Sequence, residues 1–131
     1  MMDVALLNGA NLAFIGDAYY ELYIRRYILS SGITNQRTLH KTCVDYVSAK
    51  GHSAIMHQIY DSLTEKEQNI FKRGRNAKVR SRRKNVNLGE YLESSGFEAL
   101  IGYLYLTEQK ERLDQLLAQA ILIIKESNNA K

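Results

Sequence analysis

Apolar residues recur three and four positions apart along most of the chain, the spacing of one helical face rather than the alternation of a strand. Leu12, Ile15, Tyr19, Leu22 and Tyr23 form one such stripe. It predicts a helix from Asn11 to about Ser30, stopped by the Ser31-Gly32 pair, a C-terminal capping signal. Before it, Met2–Leu7 predicts a short helical turn ended by Asn8-Gly9. Thr34 or Asn35 opens the next helix, which carries Leu39, Cys43, Tyr46 and Val47. Gly51 is expected to break or bend it, and His52 to Leu63 continues with Ile55, Met56, Ile59 and Tyr60. Thr64-Glu65-Lys66-Glu67 has the form of a capping box, so a helix starts there and reaches about Arg73. Residues 74–86 predict a flexible loop. Two more helices follow, Leu88 to about Leu106 and Lys110 to Glu126, with a frayed tail from Ser127 to Lys131. No internal repeat or composition break interrupts the pattern. The expected fold is all-α, a bundle of six or seven helices forming a single domain over residues 1–131.

Composition agrees. The chain has no proline and no tryptophan; without proline, long helices run without forced breaks. The single cysteine, Cys43, excludes an internal disulfide framework and a cysteine-based zinc site, and fits a reducing, cytoplasmic compartment. No apolar run approaches the length of a membrane span, and Met1–Leu7 lacks the pattern of a signal peptide.

Charge changes the picture more. Residues 72–84 read KRGRNAKVRSRRK, with eight basic residues and no acid. The remaining 10 basic and 14 acidic residues leave −4, so this one segment carries the net charge to +4. A like-charge block is ordinarily a solvated loop. Here five of the eight are arginine, whose forked guanidinium matches phosphate oxygens. The segment is therefore expected to bind nucleic acid through Lys72, Arg73, Arg75, Lys78, Arg80, Arg82, Arg83 and Lys84.

Two acids stand in apolar surroundings. Asp17 lies in Phe14-Ile15-Gly16-Asp17-Ala18-Tyr19, and Glu98 in Gly96-Phe97-Glu98-Ala99-Leu100-Ile101-Gly102. A carboxylate near a core needs a partner, a proton or a metal. An arginine such as Arg25 or Arg26 would be the ordinary partner. Each acid also lies near a glycine, which lets another group approach closely, and Glu21 follows Asp17 by one turn on the same face. Carboxylates converging on a hard cation such as Mg²⁺ are a common nuclease arrangement.

These residues also carry a resemblance. Leu12-Ala13-Phe14-Ile15-Gly16-Asp17-Ala18-Tyr19-Tyr20-Glu21-Leu22 resembles the signature helix of the ribonuclease III family, commonly L-E-F-L-G-D-A-V-L-E-L. Gly96–Leu106 is similar to the family's second motif, D-T-F-E-A-L-I-G-A-I-Y-L. The resemblance covers nearly the whole chain and includes no C-terminal double-stranded RNA-binding domain, as in the stand-alone bacterial Mini-ribonuclease III branch. It implies a Mg²⁺-dependent endoribonuclease, with Mn²⁺ as a substitute, acting on double-stranded RNA as a homodimer. It further implies products with 5′-phosphate and 3′-hydroxyl ends, precursor 23S ribosomal RNA as substrate, and a ribosomal protein as a helper. Asp17 and Glu98 fall on the family's metal-ligating catalytic positions. The family's other two acids are replaced by Ala13 and Ser95. Those replacements keep a rival open, a catalytically silent RNA-binding module of the same fold. A helical DNA-binding or protein-interaction module would explain the basic segment but not the paired acids.

Among the remaining polar residues, His40, His52 and His57 are scattered and read as structural or solvent-facing, and Cys43 as core. Tyr19, Tyr23 and Tyr27 form an i, i+4, i+8 stripe expected in the core or, by the resemblance, partly at a dimer interface.

Overall fold

The computed structural model describes residues 2–77 and 87–129, which form six α-helices and two short 3-10 turns, with no strand among the described residues. The helices are α1 (Gly9–Ser30), α2 (Gln36–Val47), α3 (Ala49–Ile59), α4 (Glu65–Arg75), α5 (Leu88–Leu106) and α6 (Lys110–Asn129). The all-α expectation holds, and local chemistry explains most boundaries. The Asn8 side chain caps α1 by accepting from the Asn11 amide at 2.8 Å, while Asn11 returns the bond to the Asn8 amide. Thus α1 begins at Gly9, not Asn11, because Asn8 acts as a cap rather than as the end of the preceding turn. Gly32 stands at φ +97° just beyond the far end, where a side chain would be strained. Thr64 and Glu67 form the expected capping box at α4.

Three further boundaries differ from expectation. The break between α2 and α3 falls at Ser48, whose hydroxyl accepts from the Gly51 amide at 3.1 Å and starts a new helix. Gly51 lies inside the first turn of α3, where its missing Cβ leaves room for the Asp45 carbonyl. Helix α4 continues two residues past Arg73, so Gly74 and Arg75 are helical. Helix α6 reaches Asn129, tied at its end by Asn128 donating to the Asp45 carboxylate at 3.2 Å.

Helix α5 is the axis of the bundle, packed by α1, α3, α4 and α6. The main core gathers Tyr20, Ile24, Ile55, Met56, Phe97, Leu100, Ile101, Leu104 and Leu117, all fully buried. A smaller cluster of Leu12, Ile70 and Ala99 fills the corner where α1, α4 and α5 meet. Tyr20 and Tyr46 are buried, and the Tyr20 hydroxyl donates to the Tyr46 carbonyl at 3.0 Å. Tyr19, Tyr23 and Tyr27 pack half-buried along the rim of the core. Cys43 is buried, as expected.

An ion pair between a buried Glu67 and a partly exposed Arg112 locks α6 to α4. The Arg112 guanidinium donates to both oxygens of Glu67, each at 2.8 Å. This fork, with the Thr64 cap, holds the Glu67 carboxyl below the usual carboxylate range despite its burial.

Candidate active site

Helices α1 and α5 cross antiparallel with their backbones in contact. Gly16 faces the Glu98 carbonyl, and one turn away Gly102 faces the Leu12 carbonyl. A Cβ at either glycine would stand well inside contact distance of the opposing backbone. The crossing brings Asp17, next to Gly16, against Glu98, one turn before Gly102. Asp17 acts on the Glu98 carboxyl both as a hydrogen-bonding neighbour and through its charge. Gly16, beside Asp17, admits the helix carrying Glu98, as the sequence suggested; Gly96, the glycine nearest Glu98, is met instead by Phe71 of α4, and it is Gly102, one turn on, that admits α1.

Glu98 is half-buried. Burial is the largest cause that pushes its carboxyl up to about 9, with the Asp17 hydrogen bond, the Asp17 charge and the Glu21 charge adding to it. It therefore keeps its proton at neutral pH. Asp17, by contrast, is exposed, which corrects the expectation that both acids lie near the core. Its apolar neighbours do not form a core: Phe14 is 83 % exposed and Leu22 67 %. The apolar face of α1 around Asp17 is an uncovered surface.

The ordinary partner for these acids is absent among the described residues. Arg25 pairs with Glu21 at 3.3 Å, and neither Asp17 nor Glu98 makes an ion pair. The described residues contain no cluster of three or more His, Cys, Asp or Glu side chains placed to hold a metal ion. The chemistry of the pair nonetheless suits a divalent cation. Two carboxyl groups meet with no cationic side chain paired to either among the described residues, the setting in which a divalent cation supplies the missing positive charge. Mg²⁺ is commonly held by one or two carboxylates, with waters and substrate phosphates completing its shell. Ala13, where the family has an acid, is half-buried against the small apolar cluster; Ser95 is partly exposed one turn before Ala99.

The basic segment begins beside this site. Gly74 packs on the Ser95 carbonyl, the Gly96 Cα and the Ala99 side chain, and Gly9 of α1 packs on the Arg73 carbonyl. The C-terminal end of α4 is thereby seated on both acid-bearing helices. Lys72 and Arg73 are exposed, and Arg75 lies over the Phe71 ring at 5.7 Å. Lys78, Arg80, Arg82, Arg83 and Lys84 lie outside the described residues.

The histidines stay apart from the acids. His52 is buried between Tyr20 and Phe97, with its Nδ1 2.7 Å from the Ser94 hydroxyl. Burial pushes it down to about 3, so it is neutral. His57 bonds Glu93 at 2.8 Å, and Glu93 also accepts from Ser53 at 2.9 Å. Sequence reasoning missed this α3–α5 network and the Arg112–Glu67 fork. Neither has a local signal, because the partners lie 36 to 45 residues apart.

A helical bundle with paired carboxyls beside a basic helix end matches a known class. The family model for the ribonuclease III domain matches residues 10–109. The chain belongs to the ribonuclease III family, whose members are divalent-metal-dependent endoribonucleases of double-stranded RNA, and it is an endoribonuclease. It is 45 % identical over 130 residues to Mini-ribonuclease 3 of Enterococcus faecalis, covering 98 % of each chain. It is also 45 % identical over 123 residues to Mini-ribonuclease 3 of Streptococcus pneumoniae, covering 92 % of this chain and 96 % of that one. A Fusobacterium nucleatum protein solved by X-ray crystallography superposes with a TM-score of 0.83 at 36 % identity, over 92 % of this chain and 98 % of the other.

Proposed function

We propose that the chain is a Mg²⁺-dependent endoribonuclease that cuts double-stranded RNA as a homodimer, maturing the ends of precursor 23S ribosomal RNA. The observation that carries this reading is the meeting of Asp17 and Glu98 at the α1–α5 crossing, where two carboxyl-bearing helices touch backbone to backbone. When bound, the divalent ion would polarise the scissile phosphate and make water nucleophilic at neutral pH. Asp17, exposed beside the crossing, would offer the first oxygen ligand. Glu98 would be the second, losing its proton where the ion is held. Ser95 leaves a hydroxyl near them. Phosphates of the RNA settle on the basic end of α4 and the segment beyond it, which fixes the duplex without reading its bases. The products carry 5′-phosphate and 3′-hydroxyl ends.

The dimer reading rests on uncovered apolar surface. Phe14, Ala18 and Leu22 repeat at i, i+4 and i+8 on the exposed side of α1, and Tyr105 of α5 is 44 % exposed. A second copy would cover this face, and two copies would supply one carboxyl pair for each RNA strand.

The test is cleavage of long double-stranded RNA with Mg²⁺ or with excess EDTA, comparing the parent with Asp17→Asn and Glu98→Gln. Both variants should fold and bind RNA but not cleave, since the amides keep the shape and lose the charge that attracts the ion. Cleavage in EDTA, or full activity of both variants, would refute the assignment. RNA binding without cleavage by the parent would favour the silent module, the rival that Ala13 and Ser95 support.

A further inference from the structure

The crossing of α1 and α5 does more than admit the two acids; it sets how far apart they stand. Helix backbones ordinarily keep side chains between them, at interaxial distances of about 8–10 Å. Here one backbone–backbone contact, Gly16 on the Glu98 carbonyl, lies at the acid pair, and a second, Gly102 on the Leu12 carbonyl, holds the same two helices together one turn further along. Asp17 follows the first contact directly, and Glu98 lies one turn from the second. The neighbours of Gly102 are rigid, the Leu12 carbonyl and the branched Ile15 side chain, not the free end of a flexible chain. A methyl group at Gly102 would therefore part the helices by roughly an ångström at that point, since nonbonded atoms do not tolerate such overlap.

We propose that Gly102 is a positioning residue that selects the size of the ion held by Asp17 and Glu98. This rests on the carboxyl pair being the divalent-ion site. Mg²⁺ demands near-ideal octahedral geometry at about 2.0–2.1 Å, whereas Ca²⁺ accepts flexible shells at about 2.3–2.6 Å. A crossing with no side chain between the backbones holds the two carboxyls close enough for the smaller ion. A wider crossing keeps both ligands but suits the larger one.

The experiment measures ion binding directly, on the full chain without RNA. Bound Mn²⁺ is followed by electron paramagnetic resonance and displaced by Mg²⁺ or by Ca²⁺, for the parent, Gly102→Ala, Gly51→Ala and Asp17→Asn. Gly102→Ala should weaken Mg²⁺ by about tenfold or more, a loss typical when the support of a metal ligand is disturbed. It should weaken Ca²⁺ less, so the preference shifts toward Ca²⁺. Gly51→Ala places a methyl against the Asp45 carbonyl at the α2–α3 junction; it should lower thermal stability and leave the ratio of the two affinities unchanged. If Gly102→Ala does not fold, Ile15→Phe is used, a half-exposed position whose larger ring wedges the same crossing, with the same expected shift. Equal losses for both ions in the folded variant, or a ratio that moves as much in Gly51→Ala, would overturn the role of Gly102. Undiminished Mn²⁺ binding by Asp17→Asn would instead overturn the carboxyl pair as the ion site.

Discussion

Glu98→Gln should make the metal-free protein more stable, and the gain should grow with pH. In the fold, burial and Asp17 push the Glu98 carboxyl up to about 9, against an ordinary value of 4.5. In the unfolded chain the group ionises above 4.5, while the folded protein keeps the proton until near 9. The stability that goes with this group is thus fully present below 4.5 and is lost as pH rises toward 9. Each unit of separation corresponds to about 1.4 kcal/mol, so about 4 kcal/mol disappears between pH 4.5 and 7.5. For a chain of this size that is more than about 10 °C in melting temperature. A glutamine keeps the hydrogen bond to Asp17 and has no proton to lose. The assay is urea unfolding followed by circular dichroism in EDTA, from pH 4.5 to 8.5. Parent and variant should coincide at the acid end and diverge steadily above it. Added Mg²⁺ should then raise the parent and not the variant, by selective binding to the folded state. Two parallel curves across the range would refute the proton held on Glu98 and, with it, the closeness of the two carboxyls.

Four further outcomes follow from other parts of the structure. His52, pushed down to about 3 by burial, should cost stability as pH falls below 6.5, because the unfolded chain takes up the proton first; His52→Phe should flatten that acid limb in the same unfolding series. Arg112→Ala strands the Glu67 charge, which is 5 % exposed, and should lower unfolding free energy by about 3–5 kcal/mol; a loss under 1 kcal/mol in chemical denaturation would show the fork to be dispensable. Replacing Arg73, Arg75, Arg80, Arg82 and Arg83 by alanine should weaken RNA binding and flatten its salt dependence, with a smaller fall in single-turnover cleavage at saturating RNA; an unchanged salt slope would reduce the segment to solvated surface. Light scattering should find a species of about 30 kDa, twice the 15.0 kDa chain, and Phe14→Asp should shift it toward the monomer.

Much of this protein was legible locally. The helical periodicity, the Thr64–Glu67 capping box, the Ser31-Gly32 stop and the start of α5 at Leu88 all depend on hydrogen bonds and side-chain faces within a few residues, so a short window of sequence determines them. Asp17 and Glu98 stood out for a similar reason: acids among apolar neighbours conflict with their surroundings whatever the fold. The position of the α2–α3 break needed competition between two local candidates. Ser48 won because its hydroxyl caps the new helix, while Gly51 serves a contact with the Asp45 carbonyl that no local pattern announces. Only the tertiary structure decided that the apolar neighbours of Asp17 are uncovered surface while Glu98 sinks toward the core, and that Glu67 meets Arg112 across the bundle. It alone decided that the two acids meet at all. Their meeting depends on how closely two helix axes approach, and that distance is set by Gly16 and Gly102 together, residues on different helices whose lack of side chains has meaning only once each faces the other's backbone.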